Sequence, residues 1–381
     1  MSKINVLEVR VLEHCNYKCI ACGAFSNIAK AEVYDLKEFE NDLIRIKQIF
    51  GGVNTFRIYG GEPLILKNLS DYILIARNIF NDAIIEIVTN GLLLRKKDDT
   101  FYNLLKNYCI RIVLSDYGDN RQIIDEGISI LKEKDVELEI VPIKHFYVMQ
   151  DFSQESDPEI NRKMCVVNIA TYLHHGRIYS CPYPFSYKHY DKIYNTNYNM
   201  PEVGIDIYDT TQTATQILRK LDKSNDFCKY CKDKPSYVER KQGNAGEYDW
   251  FNADENPHLL KNYTWYDFLK EVNKLVYNAI LFENGNYEYK ILREEDLKNY
   301  KKIFIWIEDY YGENVLNQVF IPSFKTLHLD YEIMHFKEGI HEEDILKFDS
   351  KNNNNAIIIF CENTKTKIKI LKLFKHLVNS Y

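Results

Sequence analysis

The sequence predicts an α/β fold in three parts: a partial (β/α) barrel, a small β-hairpin/α domain and a C-terminal Rossmann-like α/β domain. Three observations predict it. Apolar strand-like runs alternate with amphipathic helical stretches from Ile4 to Val141, the pattern of a parallel sheet covered by helices. Two β-rich runs then flank His174-His175-Gly176, as in a hairpin. Strand and helix patterns alternate again near the C-terminus, after a passage from Lys232 to Glu255 rich in Gly, Lys, Glu and Asn. A chain of 381 residues suits two or three domains. The expected division is 1–150 for the barrel, 151–245 for the hairpin domain, 246–285 for a linker with a helix, and 286–381 for the last domain.

In the first part the expected strands are Ile4 to Val11, Thr55 to Tyr59, Ile84 to Thr89, Ile110 to Ser115 and Glu137 to Pro142. The expected helices are Leu36 to Ile49, Leu69 to Phe80, Thr100 to Lys106 and Arg121 to Lys134. Five such units make an incomplete barrel or an open curved sheet.

Composition narrows the function. Hydrophobic residues at 45% supply a packed core, and a formal charge of -6 with scattered lysines argues against a surface that coats nucleic acid. No apolar run reaches membrane-spanning length, and the N-terminus runs into a strand without the pattern of an export signal. With nine cysteines, the expectation is a reducing cytoplasm, where thiols serve metals or catalysis.

The chemistry starts where the first strand ends. Cys15-Asn16-Tyr17-Lys18-Cys19-Ile20-Ala21-Cys22 places three thiols on the loop leaving the strand's carboxyl end, where α/β sheets and barrels carry their sites. An iron-sulfur cube normally takes four protein thiolates, so three leave one iron open. Zinc is the other reading, with His14 as a fourth ligand. Tyr59-Gly60-Gly61-Glu62-Pro63 follows the second strand, with two glycines that allow backbone close to a ligand and a carboxylate that can pair with an ammonium. Thr89-Asn90-Gly91 and Ser115-Asp116-Tyr117-Gly118 are polar turns after the next two strands.

In this order the motifs resemble the radical S-adenosylmethionine (radical SAM) enzymes. The resemblance implies a [4Fe-4S] cluster on Cys15, Cys19 and Cys22, with S-adenosylmethionine on the fourth iron. Reductive cleavage would yield a 5'-deoxyadenosyl radical that abstracts hydrogen from substrate. It also implies cofactor contacts from Gly60, Gly61, Glu62, Asn90 and Ser115, a flavodoxin or ferredoxin as reductant, and a sixth barrel strand near Ile143 to Val148. Asp116 and Tyr117 can equally face substrate. The residue before the last cysteine is often aromatic in the family but is Ala21 here, so Tyr17 or Phe25 would supply the stacking surface.

A second set, Cys165, Cys181, Cys228 and Cys231, has a cysteine at each end of the hairpin and a closing CxxC pair. Four thiolates close either a zinc site or a [4Fe-4S] cluster. The arrangement resembles the twitch domain, a shortened SPASM extension with one auxiliary cluster, and in particular the radical SAM cyclitol dehydrogenases that oxidise 2-deoxy-scyllo-inosamine in aminoglycoside biosynthesis. That implies oxidation of a secondary alcohol on a small carbohydrate-like or cyclitol substrate, with the remaining electron passing to the auxiliary cluster. The hydroxyl proton would go to a base in the segment joining the two domains, where Lys144, His145 and Arg162 are available. Peptide modification, sugar epimerisation and dehydration are the rival reactions within the family; a zinc-holding interaction protein is the rival outside it. Cys109 and Cys361 read as small hydrophobes.

After an expected helix from Tyr263 to Leu281, the last domain should contain strands at Lys301 to Ile307, Phe324 to Leu329 and Ala356 to Phe360, and a helix from Glu313 to Val319. Asn352 to Asn355 reads as an exposed turn. The strand pattern resembles nucleotide-binding-like domains of bacterial polysaccharide enzymes. Its first turn, Ile307-Glu308-Asp309-Tyr310-Tyr311-Gly312, has one glycine and two acids, which disfavours a pyrophosphate. A degenerate domain without dinucleotide binding is expected.

Overall fold

β1 (Ile4–Leu12) buries both of its faces. Leu7, Val9 and Val11 pack into the main apolar core, whereas Glu8 and Arg10, also buried, lie on the other face. This computed structural model describes residues 3–165, 167, 170–196, 198, 200–264, 266–267, 276–283, 286–300, 302–307, 319–335 and 355–360. The chain divides into two compact units, Met1–Lys261 and Asn262–Tyr381.

In the first unit β1 is followed by α1 (Leu36–Phe50), β2 (Val53–Gly60), α2 (Leu69–Ile79), β3 (Ile84–Thr89), α3 (Asp99–Asn107), β4 (Ile110–Asp116), α4 (Arg121–Glu133) and β5 (Leu138–Pro142). The ends of α1 show why the chain turns there. Asp35 accepts the backbone N–H groups of Lys37 and Glu38, and Gly51, at φ 77°, returns its N–H to the Lys47 carbonyl. β1 to β5 pair in parallel in sequence order. On the sheet face that carries Glu8, an ion-pair ladder crosses four strands. Arg57 bonds Glu8 and Glu86, and Arg111 bonds Glu86 and Glu137. Each buried carboxylate therefore has a guanidinium beside it.

The sixth parallel strand is not the expected one. Residues 145–150 do form a strand, β6 (His145–Gln150), but it pairs antiparallel with β10 (Cys231–Glu239) outside the main sheet. Val148 packs there against Val238 and Ile20. The sixth place goes to β7 (Thr171–His174), which joins the free edge of β1, where Leu173 reaches the main core. β8 (Arg177–Tyr179) returns antiparallel through a turn with His175 and Gly176 at positive φ, and β9 (Ile205–Asp206) closes the sheet. The expected hairpin is thus continuous with the barrel sheet. α5 (Pro158–Lys163), α6 (Tyr183–Tyr194) and α7 (Ala214–Asp222) complete the unit. Residues 246–261, expected as part of a linker, belong to it as well: Trp250 and Phe251 are buried in an aromatic core with Phe25, Phe152 and Tyr190.

The second unit holds a mixed five-stranded sheet in the order β12-β11-β15-β13-β14: β11 (Val276–Glu283), β12 (Asn286–Arg293), β13 (Lys302–Ile307), β14 (Tyr331–His335) and β15 (Asn355–Phe360). β13 is parallel to β14 and β15, while β11 is antiparallel to β12 and β15. Residues 276–281, expected in a helix, are strand; the run Val276-Tyr277-Asn278-Ala279-Ile280-Leu281-Phe282 is rich in β-formers and pairs along its length with β12. Residues 324–327, expected as strand, end α8 (Ile321–Leu327), with Phe324 fully buried and His328 left-handed after it. The expected helix at 313–318, most of the turn at 307–312, the asparagines at 352–354 and Cys361 lie outside the described residues. No helix among the described residues is long and apolar enough to cross a membrane.

Candidate functional site

The loop after β1 brings Cys15, Cys19 and Cys22 to one cavity of about 220 Å³. Gly60, Gly61, Asn90, Ser115 and Tyr17, all expected cofactor contacts, line the same cavity, together with Tyr59, Thr89, Tyr117 and Phe146. Four successive strand ends of the parallel sheet converge there, as the topology of such sheets requires.

The glycines are fixed by backbone crowding. A Cβ at Gly60 would lie 2.2 Å from the Leu12 carbonyl oxygen, and one at Gly61 would lie 1.9 Å from that of His14. Gly61 N–H donates to Leu12 and Glu62 N–H to His14, so this motif clasps the chain entering the cysteine loop. Glu62 plays a different part from the expected ammonium partner. It is fully buried and accepts from the Leu64 N–H, the Thr89 hydroxyl and the Asn90 N–H at 2.9, 2.7 and 2.8 Å. Burial raises its pKa, against those hydrogen bonds. The carboxylate locks the second turn to the third and does not line the cavity, leaving Gly60 and Gly61 to face it. Asn90 extends the lock, donating to Asn16 at 2.7 Å with its amide beside Cys15.

Burial pushes the Cys15 thiol up to about 12 and the Cys19 thiol up to about 11. Thiols as desolvated as those of Cys15 and Cys19 become good thiolate ligands only when cationic charge arrives among them, which is what iron supplies. Soft sulfur donors around a cavity of this size fit an iron-sulfur cluster. Tyr17 is buried, with its hydroxyl accepting from Asn120 at 3.1 Å and its ring edge on Tyr117. Phe25 does not serve as a stacking surface at the cavity; it stacks on Trp250 at 5.1 Å inside the aromatic core. Asp116 is engaged by the Gly118 N–H and by Arg121.

The other four cysteines also gather. Burial raises Cys181 and Cys231 well above the ordinary thiol range, and each is raised further by the charge of its neighbours in the set. Cys228 is raised as well, chiefly by burial. Buried Asn161 donates to the Cys228 and Cys231 carbonyls at 2.8 and 2.7 Å, fixing the CxxC turn. Asn225 donates to Ser180 beside Cys181 and offers its N–H to the Cys228 sulfur. Phe152, Tyr183, Phe227 and Tyr230 share one buried aromatic cluster with Cys181, and Cys165 packs against it. Among the described residues, no three His, Cys, Asp or Glu side chains close on a single metal ion.

None of the three expected bases lines the cavity. Lys144 is exposed, and its carbonyl accepts the Arg240 N–H. His145 pairs across β6 with Glu239, on the opposite strand face from cavity-lining Phe146. Arg162 is buried, with its guanidinium on the Leu221 and Asp222 carbonyls at the end of α7, where a cation caps the helix. Arg240, Trp250 and Asn161 carry no sequence signal. Trp250 donates from Nε1 to the Cys22 carbonyl at 2.8 Å across 228 residues, and no local pattern signals such a contact.

Residues 9–116 match the Radical SAM superfamily. A GTP 3',8-cyclase of Clostridium botulinum (strain Hall) is 25% identical over 336 residues, covering 79% of this chain and 97% of the relative. A GTP 3',8-cyclase of Campylobacter jejuni subsp. doylei is 35% identical over 94 residues, 24% of this chain and 29% of the relative. Among solved structures, BtrN in complex with AdoMet and 2-DOIA aligns at 19% identity and TM-score 0.36, over 61% of this chain and 94% of BtrN. Native anSMEcpe with bound AdoMet aligns at 19% identity and TM-score 0.32, over 37% of this chain; the chain spans 44% of that structure. Scores at this level carry no weight for activity.

Proposed function

Starting from a radical SAM domain at residues 9–116, we propose that this protein is an oxidoreductase that oxidises a secondary alcohol of a small carbohydrate-like or cyclitol substrate. In this reading two [4Fe-4S] clusters are resident, one on Cys15, Cys19 and Cys22 and an auxiliary one on Cys165, Cys181, Cys228 and Cys231. When bound, the first cluster, charged by a flavodoxin- or ferredoxin-type donor, supplies the electron that cleaves S-adenosylmethionine and so provides the hydrogen-abstracting radical.

The observation that carries the reading is the contrast between the two thiol sets of the first unit. Three thiols border a cavity, whereas in the other set Cys165 and Cys181 pack in an aromatic core and Asn161 clamps the Cys228 and Cys231 carbonyls. Four protein ligands leave no vacant iron, which suits an electron acceptor. The chain's own residues do the positioning. Gly60 and Gly61 bring bare backbone to the cavity wall, Asn90 and Ser115 offer polar groups, and Tyr17 and Tyr117 present aromatic surface. The Glu8–Arg57–Glu86–Arg111 ladder and the Tyr59 hydroxyl, bonded by Arg10 at 3.2 Å, make the barrel interior polar. A hydroxyl-rich substrate matches that interior better than an apolar one.

A second reading, nucleotide cyclisation, rests on the GTP 3',8-cyclase relatives that align over 79% of this chain. One experiment separates the two. The reconstituted protein, S-adenosylmethionine and dithionite are given either an amino-cyclitol deuterated at its carbinol carbon or GTP. Deuterium in 5'-deoxyadenosine with a ketone product, one per turnover, supports alcohol oxidation. GTP consumption with an inert cyclitol supports the second reading and overturns the first.

A further inference from the structure

Arg240 stands 221 residues from Cys19 in sequence and beside it in space. The end of β10 and the residues after it run along the cysteine loop: Ile20 N–H donates to the Lys241 carbonyl, Gly243 N–H donates to that of Lys18, and Cys19 bridges to Gln242. This brings the Arg240 guanidinium between two cavity-lining rings, 4.7 Å from the Tyr17 centroid and 4.6 Å from that of Tyr117. Its side chain is 3% exposed. One nitrogen, Nη1, bonds the Asp119 carboxylate, which also accepts from Gln242 at 3.1 Å. The other two, Nε and Nη2, are buried with no hydrogen-bond partner among the described residues.

A buried guanidinium with idle N–H groups is costly unless something accepts them. The Cys19 thiol is the sulfur next to it, because the backbone bridges Cys19–Gln242 and Ile20–Lys241 lay the cysteine loop alongside Arg240. We propose that Arg240 is a positioning residue that aims its idle N–H groups at the sulfur atoms of a cluster held by Cys15, Cys19 and Cys22, and so raises that cluster's reduction potential. Reduction adds one electron and hence one negative charge to the cluster. Hydrogen bonds to sulfur and a desolvated positive charge favour the reduced form. The site thereby gains a reducible cluster without a fourth cysteine, from a segment that follows the second cysteine set. The inference rests on the cluster assignment made above.

The test is a redox titration of the reconstituted full-length protein, followed by the electron paramagnetic resonance signal that changes when S-adenosylmethionine is added. R240M keeps the stem and removes the donors. At matched potential its reduced-to-oxidised ratio should fall about tenfold, which is ~59 mV for a one-electron couple. R240K should fall between, since it keeps the charge but not the fork. D119N, on a half-exposed side chain, removes the charge that offsets Arg240 and should shift the ratio the other way. A fully iron-loaded R240M with an unshifted potential overturns the proposal. Should R240M not take up iron, D119N decides: an unchanged or lowered potential overturns it, and a raised one supports it. A wild-type protein without any S-adenosylmethionine-sensitive signal would instead sink the cluster assignment itself.

Discussion

Glu62 carries more of the fold than its place in a glycine motif suggests. Its carboxylate, fully buried, is the shared acceptor for three donors on two turns. E62A leaves those donors without a partner, and urea unfolding should show a loss of about 2–3 kcal/mol, with weakened S-adenosylmethionine binding. A second residue-scale expectation concerns pH. His174 is held neutral, its pKa lowered by burial from 6.5 to about 2 despite the Glu13 carboxylate. Below pH 6.5 the unfolded chain takes up this proton and the folded chain does not. The contribution is therefore whole above pH 6.5 and is lost as pH falls toward 2. At pH 5.5 the loss is about 1.4 kcal/mol. H174F preserves the stacking on Phe185, 4.4 Å away, so urea unfolding at pH 7.5 and 5.5 should show it losing that much less than wild type. Equal losses would contradict the assignment.

At the scale of elements, the first 142 residues were legible because parallel strands covered by helices write their burial into long apolar runs, as in Ile110-Arg111-Ile112-Val113-Leu114. The exchange between β6 and β7 was not. A four-residue strand such as Thr171–His174 has too little alternation to reveal which edge it joins, and β6 carries apolar residues for a different partner. In the site, motifs lying next to strands were readable, while contacts made by folding alone were not, Trp250 to Cys22 and Asn161 to the CxxC turn among them. Asn161 yields a prediction of its own. N161A frees the Cys228 and Cys231 carbonyls, so reconstituted iron should fall from about eight to about four per chain, with reductive cleavage of S-adenosylmethionine retained. Iron held at eight would show that the turn forms without its clamp.

For the whole molecule, the division at Lys261 separates all seven assigned cysteines and every residue of the cavity from the mixed sheet that follows. A chain ending at Lys261 should therefore stay folded, load the same iron and cleave S-adenosylmethionine at a rate within about threefold of the full chain, since its core is complete without the second unit. Circular dichroism and iron analysis would check it; loss of iron on truncation would tie the second unit to the site. The proposed function stands on two clusters, one held by Cys15, Cys19 and Cys22 with an iron left open and one held by all four of Cys165, Cys181, Cys228 and Cys231. Its most direct measurement is iron content together with 5'-deoxyadenosine formation in wild type and in the C15A/C19A/C22A protein. The account predicts a brown wild type with about eight irons that forms 5'-deoxyadenosine, and a variant with about four irons that forms none. A colourless, zinc-loaded wild type, or a triple variant that still cleaves S-adenosylmethionine reductively, would contradict it.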